Sequence, residues 1–169
     1  SRAVLVADDA VRALFEERIA RSFDAARVAL QVLPFGGEVT YAAIGHLAGA
    51  ARSGAAEVVI GAGGGKALDA AKAVARELGA RLVCVPTIAS NDGPASASIA
   101  VYDEAHRMAA VHQLKRNPDL VLVDSAVIAA APLRFFLAGI GDAISKKFEA
   151  EACLKAKALT LFGAPASHT

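Results

Sequence analysis

The stretch Val58-Val59-Ile60-Gly61-Ala62-Gly63-Gly64-Gly65-Lys66-Ala67-Leu68-Asp69-Ala70-Ala71-Lys72 decides how the chain is read. The β-branched run Val58 to Ile60 stops at a block containing Gly61, Gly63, Gly64 and Gly65, and an amphipathic pattern then runs from Lys66 to about Leu78. The spacing predicts a strand, a glycine turn and a helix. Glycines let backbone N–H groups approach a ligand closely, and a helix start offers free donors and a positive dipole end. An anion such as pyrophosphate suits that arrangement, but a plain strand-ending turn suits the same residues. The Walker A pattern is excluded, because Ile60 stands where its first glycine belongs and Ala67 replaces Ser or Thr after Lys66. The dinucleotide fingerprint fits Gly61 and Gly63 but meets Lys66 in place of its third glycine.

Outward from this stretch, apolar strands alternate with helices. Ala3 to Ala7 and Arg27 to Leu33 read as strands, with a helix from Ala10 between them and a second helix N-capped by Thr40, with Gly54 just beyond its end. Arg81 to Val85 is a further strand, stopped by Pro86. Such alternation implies an α/β fold with a mostly parallel, Rossmann-like sheet covered on both faces. Ligands gather at the carboxyl ends of the strands of such sheets. That edge would carry Asp8, the loop from Gly61 to Lys66 and the segment after Val85.

Beyond Pro86 a polar loop is expected, followed by a hairpin pairing Ser98–Tyr102 with Arg107–Val111. A last strand, Leu120 to Val123, precedes a short helix that Ser125 can cap. From Pro132 the pattern is helical almost throughout, so residues 1–131 are expected to form the sheet domain and 132–169 the start of an all-helical one.

Composition narrows the classes further. Of the 169 residues, 55% are hydrophobic and 21% charged, which describes a globular chain with a substantial core. A net charge of +1 gives no reason to expect nucleic acid or an anionic membrane as partner. No apolar run approaches the ~20 residues of a spanning helix, and Ser1-Arg2 leads into a strand rather than a signal sequence. The two cysteines, Cys84 and Cys153, have no paired spacing and read as thiols of a cytoplasmic protein.

Several motifs stand in a telling order: Gly63-Gly64-Gly65-Lys66 with Asp69 and Ala71-Lys72, then Pro86-Thr87-Ile88-Ala89-Ser90-Asn91-Asp92, then Asn117-Pro118-Asp119 and Val121-Leu122-Val123-Asp124, and finally Ala138-Gly139-Ile140-Gly141-Asp142 and Phe148-Glu149-Ala150-Glu151. In this register the chain resembles the glycerol dehydrogenase branch of the iron-dependent (group III) alcohol dehydrogenase family. The resemblance implies an α/β dinucleotide-binding domain and a helical domain, with a divalent metal (zinc, or iron) between them. It also implies NAD-linked oxidation of a polyol or secondary alcohol to a ketone, with the metal polarising the alcohol oxygen. A homo-oligomer acting on a small alcohol is expected on the same ground.

Residue by residue, the resemblance implies that Gly63, Gly64, Gly65 and Lys66 cradle the pyrophosphate and that Asp69 lies near the nicotinamide carboxamide. Thr87 and Ser96 match contacts to the adenine and phosphate portions, although either could be an ordinary turn hydrogen bond. Asp8, closing the first strand, can accept from an adenosine ribose hydroxyl and repel a 2′-phosphate, favouring NAD over NADP; a solvated loop aspartate, or Asp9 in its place, stays open. Asp92 matches the aspartate that holds a substrate hydroxyl. Its neighbour Gly93 departs from the glycerol form, and the Asp-Gly pair is similar to the glycerol-1-phosphate branch.

Asp142 matches the first metal ligand; read by itself, Gly139-Ile140-Gly141-Asp142 is a turn with a helix N-cap aspartate. Two histidine ligands are expected later in the family's helical domain. His46, His106 and His112 lie in the wrong part of the chain, and His168 resembles the start of a family helix. The chain therefore reads as part of a longer protein, because a catalytic zinc needs about three protein ligands. Two other readings stay open. One is a dehydroquinate synthase-like lyase with bound NAD and zinc, for which Lys115, Arg116 and Lys146 are the available basic residues. The other is a non-catalytic NAD-binding module.

Overall fold

A computed structural model describes residues 1–160 and 163–167. Five parallel strands form the main sheet: β1 (Arg2–Ala7), β2 (Ala29–Pro34), β3 (Val58–Gly63), β4 (Arg81–Pro86) and β7 (Leu120–Val121), in the order β2-β1-β3-β4-β7. A two-stranded antiparallel hairpin, β5 (Ser98–Tyr102) with β6 (Met108–Gln113), leaves the sheet between β4 and β7. The α/β expectation holds, and the parallel sheet is the one the alternating pattern implies.

Strand β1 lies between β2 and β3 and is buried on both faces. Its pleat sends Ala3, Leu5 and Ala7 toward α1 (Asp9–Ala25), where Val11 packs with Phe15, Ile19 and Phe23 at its edge. Val4 and Val6 point the other way, into a larger core shared with α2 (Tyr41–Ser53) and α3 (Gly65–Leu78). Helix α3 approaches the sheet closely because five of its eight buried residues are alanine: Ala67, Ala70, Ala71, Ala73 and Ala75. Gly61 completes that contact, since a Cβ there would sit 2.6 Å from the Ala71 Cβ. Gly61 is therefore a packing residue inside β3, which runs on to Gly63 instead of ending at the first glycine.

Local chemistry sets most helix ends. Asp8 Oδ1 accepts from Val11 N at 2.9 Å, and Thr40 Oγ1 from Ala43 N at 3.2 Å. Gly79 ends α3 in the left-handed conformation, φ +64°, which glycine adopts without a Cβ penalty. Gly54 ends α2 with a right-handed φ of −79°. Helix α4 (Ser125–Ala130) is capped by Asp124, whose Oδ1 accepts from Ala126 N and Val127 N, and not by Ser125, which is already its first helical residue. The strand before it, β7, has two residues and not the expected four: Leu120 and Val121 are in register with Val83 and Cys84, and the pairing ends with the bond from Leu122 N to the Cys84 carbonyl at 2.8 Å.

Helix α5 (Leu133–Lys155) is continuous through Gly139 and Gly141, so Asp142 lies inside a helix and not at its N-cap. None of its residues is buried. Leu133, Phe136, Leu137, Ile140, Ile144 and Phe148 face outward at helical spacing. Among the described residues no helix is long and apolar enough to cross a membrane.

Candidate functional site

The strand order reverses between β1 and β3, and in open α/β sheets the crevice at that switch point is where ligands lodge. Asp8 and Gly63 are what the two strands deliver there. Gly63 has φ +143°, and a Cβ on it would meet Asp8 Oδ2 at 3.0 Å and the Ala67 Cβ at 2.9 Å. Only glycine suits both the dihedral and the space. Gly64 then enters α3 in extended conformation with no side chain capping the helix. The first-turn N–H groups of α3 thus have no side-chain acceptor, in contrast to α1, α2 and α4.

This helix start borders a cleft of about 960 Å³, at the large end of the range for small-molecule sites. Asp8, Gly64, Gly65, Lys66 and Thr87 all line it, and Leu14, Phe15, Phe35, Val127 and Phe135 form an apolar wall. Arg18 and Arg134 add two guanidinium groups that the sequence reading did not single out. Lys66 is 60% exposed and bonded to Glu38 Oε1, which also lies 3.3 Å from His106 Nδ1. The Lys66 ammonium, helped by His106 and opposed by partial desolvation, holds the Glu38 carboxyl below its ordinary range.

The structure gathers the other predicted residues elsewhere. Asp69 and Ser96 do not line the cleft; both surround the ammonium of Lys72, which donates to Asp69 Oδ1 at 3.0 Å and to Ser96 Oγ at 3.3 Å. Asp69 Oδ2 accepts from Ala100 N at 3.0 Å, so one carboxylate oxygen ties α3 to the hairpin while the other holds Lys72 of the same helix. Ser96 donates in turn to the Gly93 carbonyl at 3.3 Å, which is the turn hydrogen bond left open above.

Asp92 and Asp142, 50 residues apart in the chain, meet where α5 crosses the loop after β4. Asp142 Oδ2 accepts from the Asp92 N–H at 3.1 Å. Lys146 Nζ stands 3.4 Å from Asp142 Oδ1 and 3.6 Å from both Asp92 Oδ2 and Glu149 Oε2. These carboxylates, Asp92 foremost, raise the Lys146 pKa. The crossing is close because of Gly139, where a Cβ would fall 2.1 Å from the Ala89 carbonyl oxygen.

Among the described residues no group of three or more His, Cys, Asp or Glu side chains could hold a metal. His112 Nε2 is bonded to the Tyr41 hydroxyl at 2.9 Å, His106 faces Glu38, and His168 lies outside the described residues. Lys115 and Arg116, the basic residues considered for a lyase, line a separate hollow beside Gly79 at the far end of α3.

This sheet, switch-point loop and loop–helix crossing define the class: the chain belongs to the iron-containing alcohol dehydrogenase family, whose sequence model matches residues 1–132. It is 44% identical over 169 residues to the glycerol dehydrogenase of Thermotoga maritima, covering 99% of this chain and 46% of that protein. With the glycerol dehydrogenase of Escherichia coli O6:H1 it shares 38% identity over 162 residues, 96% of this chain and 44% of that one. Its fold superimposes on the crystal structure of a probable glycerol dehydrogenase from Sinorhizobium meliloti with a TM-score of 0.86 at 38% identity, covering 99% of this chain and 45% of the other. The chain spans less than half the length of these relatives.

Proposed function

We propose that this chain supplies the cofactor cleft and the substrate loop of an NAD-linked dehydrogenase acting on a glycerol-like polyol or secondary alcohol. Residues 1–131 serve as the dinucleotide-binding domain and 132–169 as the beginning of a helical one. The observation that carries the reading is the switch-point cleft. It combines a helix start without a side-chain cap, a glycine, Gly63, whose dihedral and surroundings leave no room for a side chain, and the Asp8 carboxylate beside it.

NAD fits these residues. The first turn of α3 and Lys66 would take the pyrophosphate, Asp8 Oδ2 a ribose hydroxyl, and the apolar wall the adenine. Asp69 lies on the same helix, three residues beyond Lys66, but its carboxylate faces Lys72 and Ala100 outside the cleft, so it would act on the nicotinamide end only indirectly. The bound nicotinamide supplies hydride acceptance, so the overall change is alcohol plus NAD⁺ to ketone, NADH and a proton. Asp92, 69% exposed at the loop–helix crossing, is positioned to accept from a polyol hydroxyl and orient the carbon that is oxidised. For a metal the described residues do not make a complete set: Asp142 is one ligand-type side chain, already engaged by Lys146 and the Asp92 N–H.

Three carboxylates, Asp92, Asp142 and Glu149, surround the single Lys146 ammonium beside the substrate loop.

The test is NADH formation by the purified protein with NAD, added zinc and a panel of glycerol, 1,2-propanediol and glycerol-1-phosphate. Turnover of the neutral diols that is lost in Asp92→Ala supports the reading. NADH binding that disappears in Gly64→Val, with no turnover, would leave a cofactor-binding module. Failure to bind NADH at all overturns the proposal.

A further inference from the structure

Lys72 is the one charged side chain buried without any exposure among the described residues, and the cofactor cleft does not use it. Its ammonium shares three N–H bonds among four acceptors: the Gly93 carbonyl at 2.7 Å, Asp69 Oδ1 and the Ser98 carbonyl at 3.0 Å each, and Ser96 Oγ at 3.3 Å. Three of the four belong to residues 93–98, the segment that immediately follows Asp92. A buried ammonium is costly, and a well-packed apolar side chain of similar volume would serve a core at least as well. The charge therefore calls for a positional explanation.

The segment itself supplies the reason. Gly93–Ala95 is a single 3₁₀ turn with no fully buried residue, so apolar burial contributes little to fixing its conformation. What holds it is polar: Lys72 from the α3 side, and Asp142 from the α5 side through the Asp92 N–H at 3.1 Å. The Asp92 N–H and the Gly93 carbonyl are thus gripped from opposite directions. Asn91 Oδ1 adds a bond to Gly93 N at 2.9 Å.

We infer that Lys72 is a positioning residue: its buried ammonium, clamping Gly93, Ser96 and Ser98 to α3 beside Asp69, sets the place of Asp92 for the alcohol substrate. This rests on the proposed role of Asp92 as the polyol contact. Lys72 touches neither cofactor cleft nor substrate and acts through the loop alone.

The test compares the unsubstituted protein with Lys72→Met, which keeps length and removes charge. Amide hydrogen exchange is read over residues 92–98 and over β1 and β3, together with polyol KM, kcat and the NADH dissociation constant. The expected result is exchange at 92–98 faster by about tenfold or more with the sheet unchanged, as for a local opening. Polyol KM should rise at least about tenfold while NADH affinity moves by less than about threefold, the mark of misplaced substrate binding. Unchanged exchange at 92–98, or equal acceleration in the sheet, overturns the inference, as does weakened NADH binding with an unaltered polyol KM. Should Lys72→Met fail to fold, Ser96→Ala removes one acceptor and should give a smaller, still local acceleration; no change there refutes the clamp. Absence of polyol turnover in the unsubstituted protein sinks the dehydrogenase reading, and the exchange arm then judges the anchor by itself.

Discussion

Two glycines of one helix should respond oppositely to the same substitution. Gly139 and Gly141 both lie inside α5, but a Cβ on Gly141 meets nothing within 4 Å, whereas on Gly139 it falls 2.1 Å from the Ala89 carbonyl oxygen. Replacing either by alanine removes the backbone-entropy cost of a mid-helix glycine, a gain of about 1 kcal/mol. That term cancels in the comparison and leaves the contact. A carbon needs about 3.3 Å from a carbonyl oxygen, so the 2.1 Å contact demands a retreat of roughly 1.2 Å by α5 or the loop. The obstacle is backbone, which no rotamer change can move aside. A shift of that size would stretch the Asp92 N–H to Asp142 bond from 3.1 Å to beyond hydrogen-bond reach. Overpacking of this kind costs about 1–3 kcal/mol, and the lost bond to a carboxylate about 1.5–3 kcal/mol. Gly139→Ala should therefore lie below Gly141→Ala by about 2–4 kcal/mol in the free energy of opening α5, because the two costs overlap. Amide exchange along residues 140–152 measures that quantity directly. Equal protection in the two variants would refute the packing argument, and equal polyol turnover would detach the crossing from function.

Further outcomes follow from single contacts. Asp8→Asn should keep α1 capped, with stability within about 0.5 kcal/mol, yet weaken NADH binding and narrow any preference over NADPH; unchanged cofactor binding would remove Asp8 from the ribose site. Glu38 titrates below its ordinary range because of Lys66, so its contribution to stability is present above about pH 4.5 and is lost as pH falls through the lowered folded value. The melting temperature of the unsubstituted protein should then fall toward that of Glu38→Gln on acidification below pH ~4.5, and a difference independent of pH argues against the pairing. Burial pushes the Cys84 thiol up to about 11, leaving on the order of one thiolate in a thousand at pH ~8. A disulfide reagent should label the partly exposed Cys153 and reach Cys84 only on unfolding; two fast thiols would contradict the buried assignment.

Much of this protein is legible one segment at a time. The β-branched runs, the caps at Asp8 and Thr40, the stop at Gly79 and the glycine loop all depend on residues within a few positions of one another. Short-range sterics and periodicity carry that information, and motif order was enough to find the family. The misplaced details have the same origin. Gly61 looks like a turn residue until α3 is seen lying against it, and the pair Gly139 and Gly141 suggests a break until the loop after β4 explains why one of them must be small. The clamp on the substrate loop was legible nowhere in the chain. Lys72 binds residues 21, 24 and 26 positions away, and Asp142 reaches back 50 to the Asp92 N–H. Sequence alone determined most strands and helices and the glycine loop, because each is set by its own neighbours. Tertiary structure alone decided which polar groups meet. A buried charge finds its partners only after distant segments are brought together, and no local pattern records where they will lie.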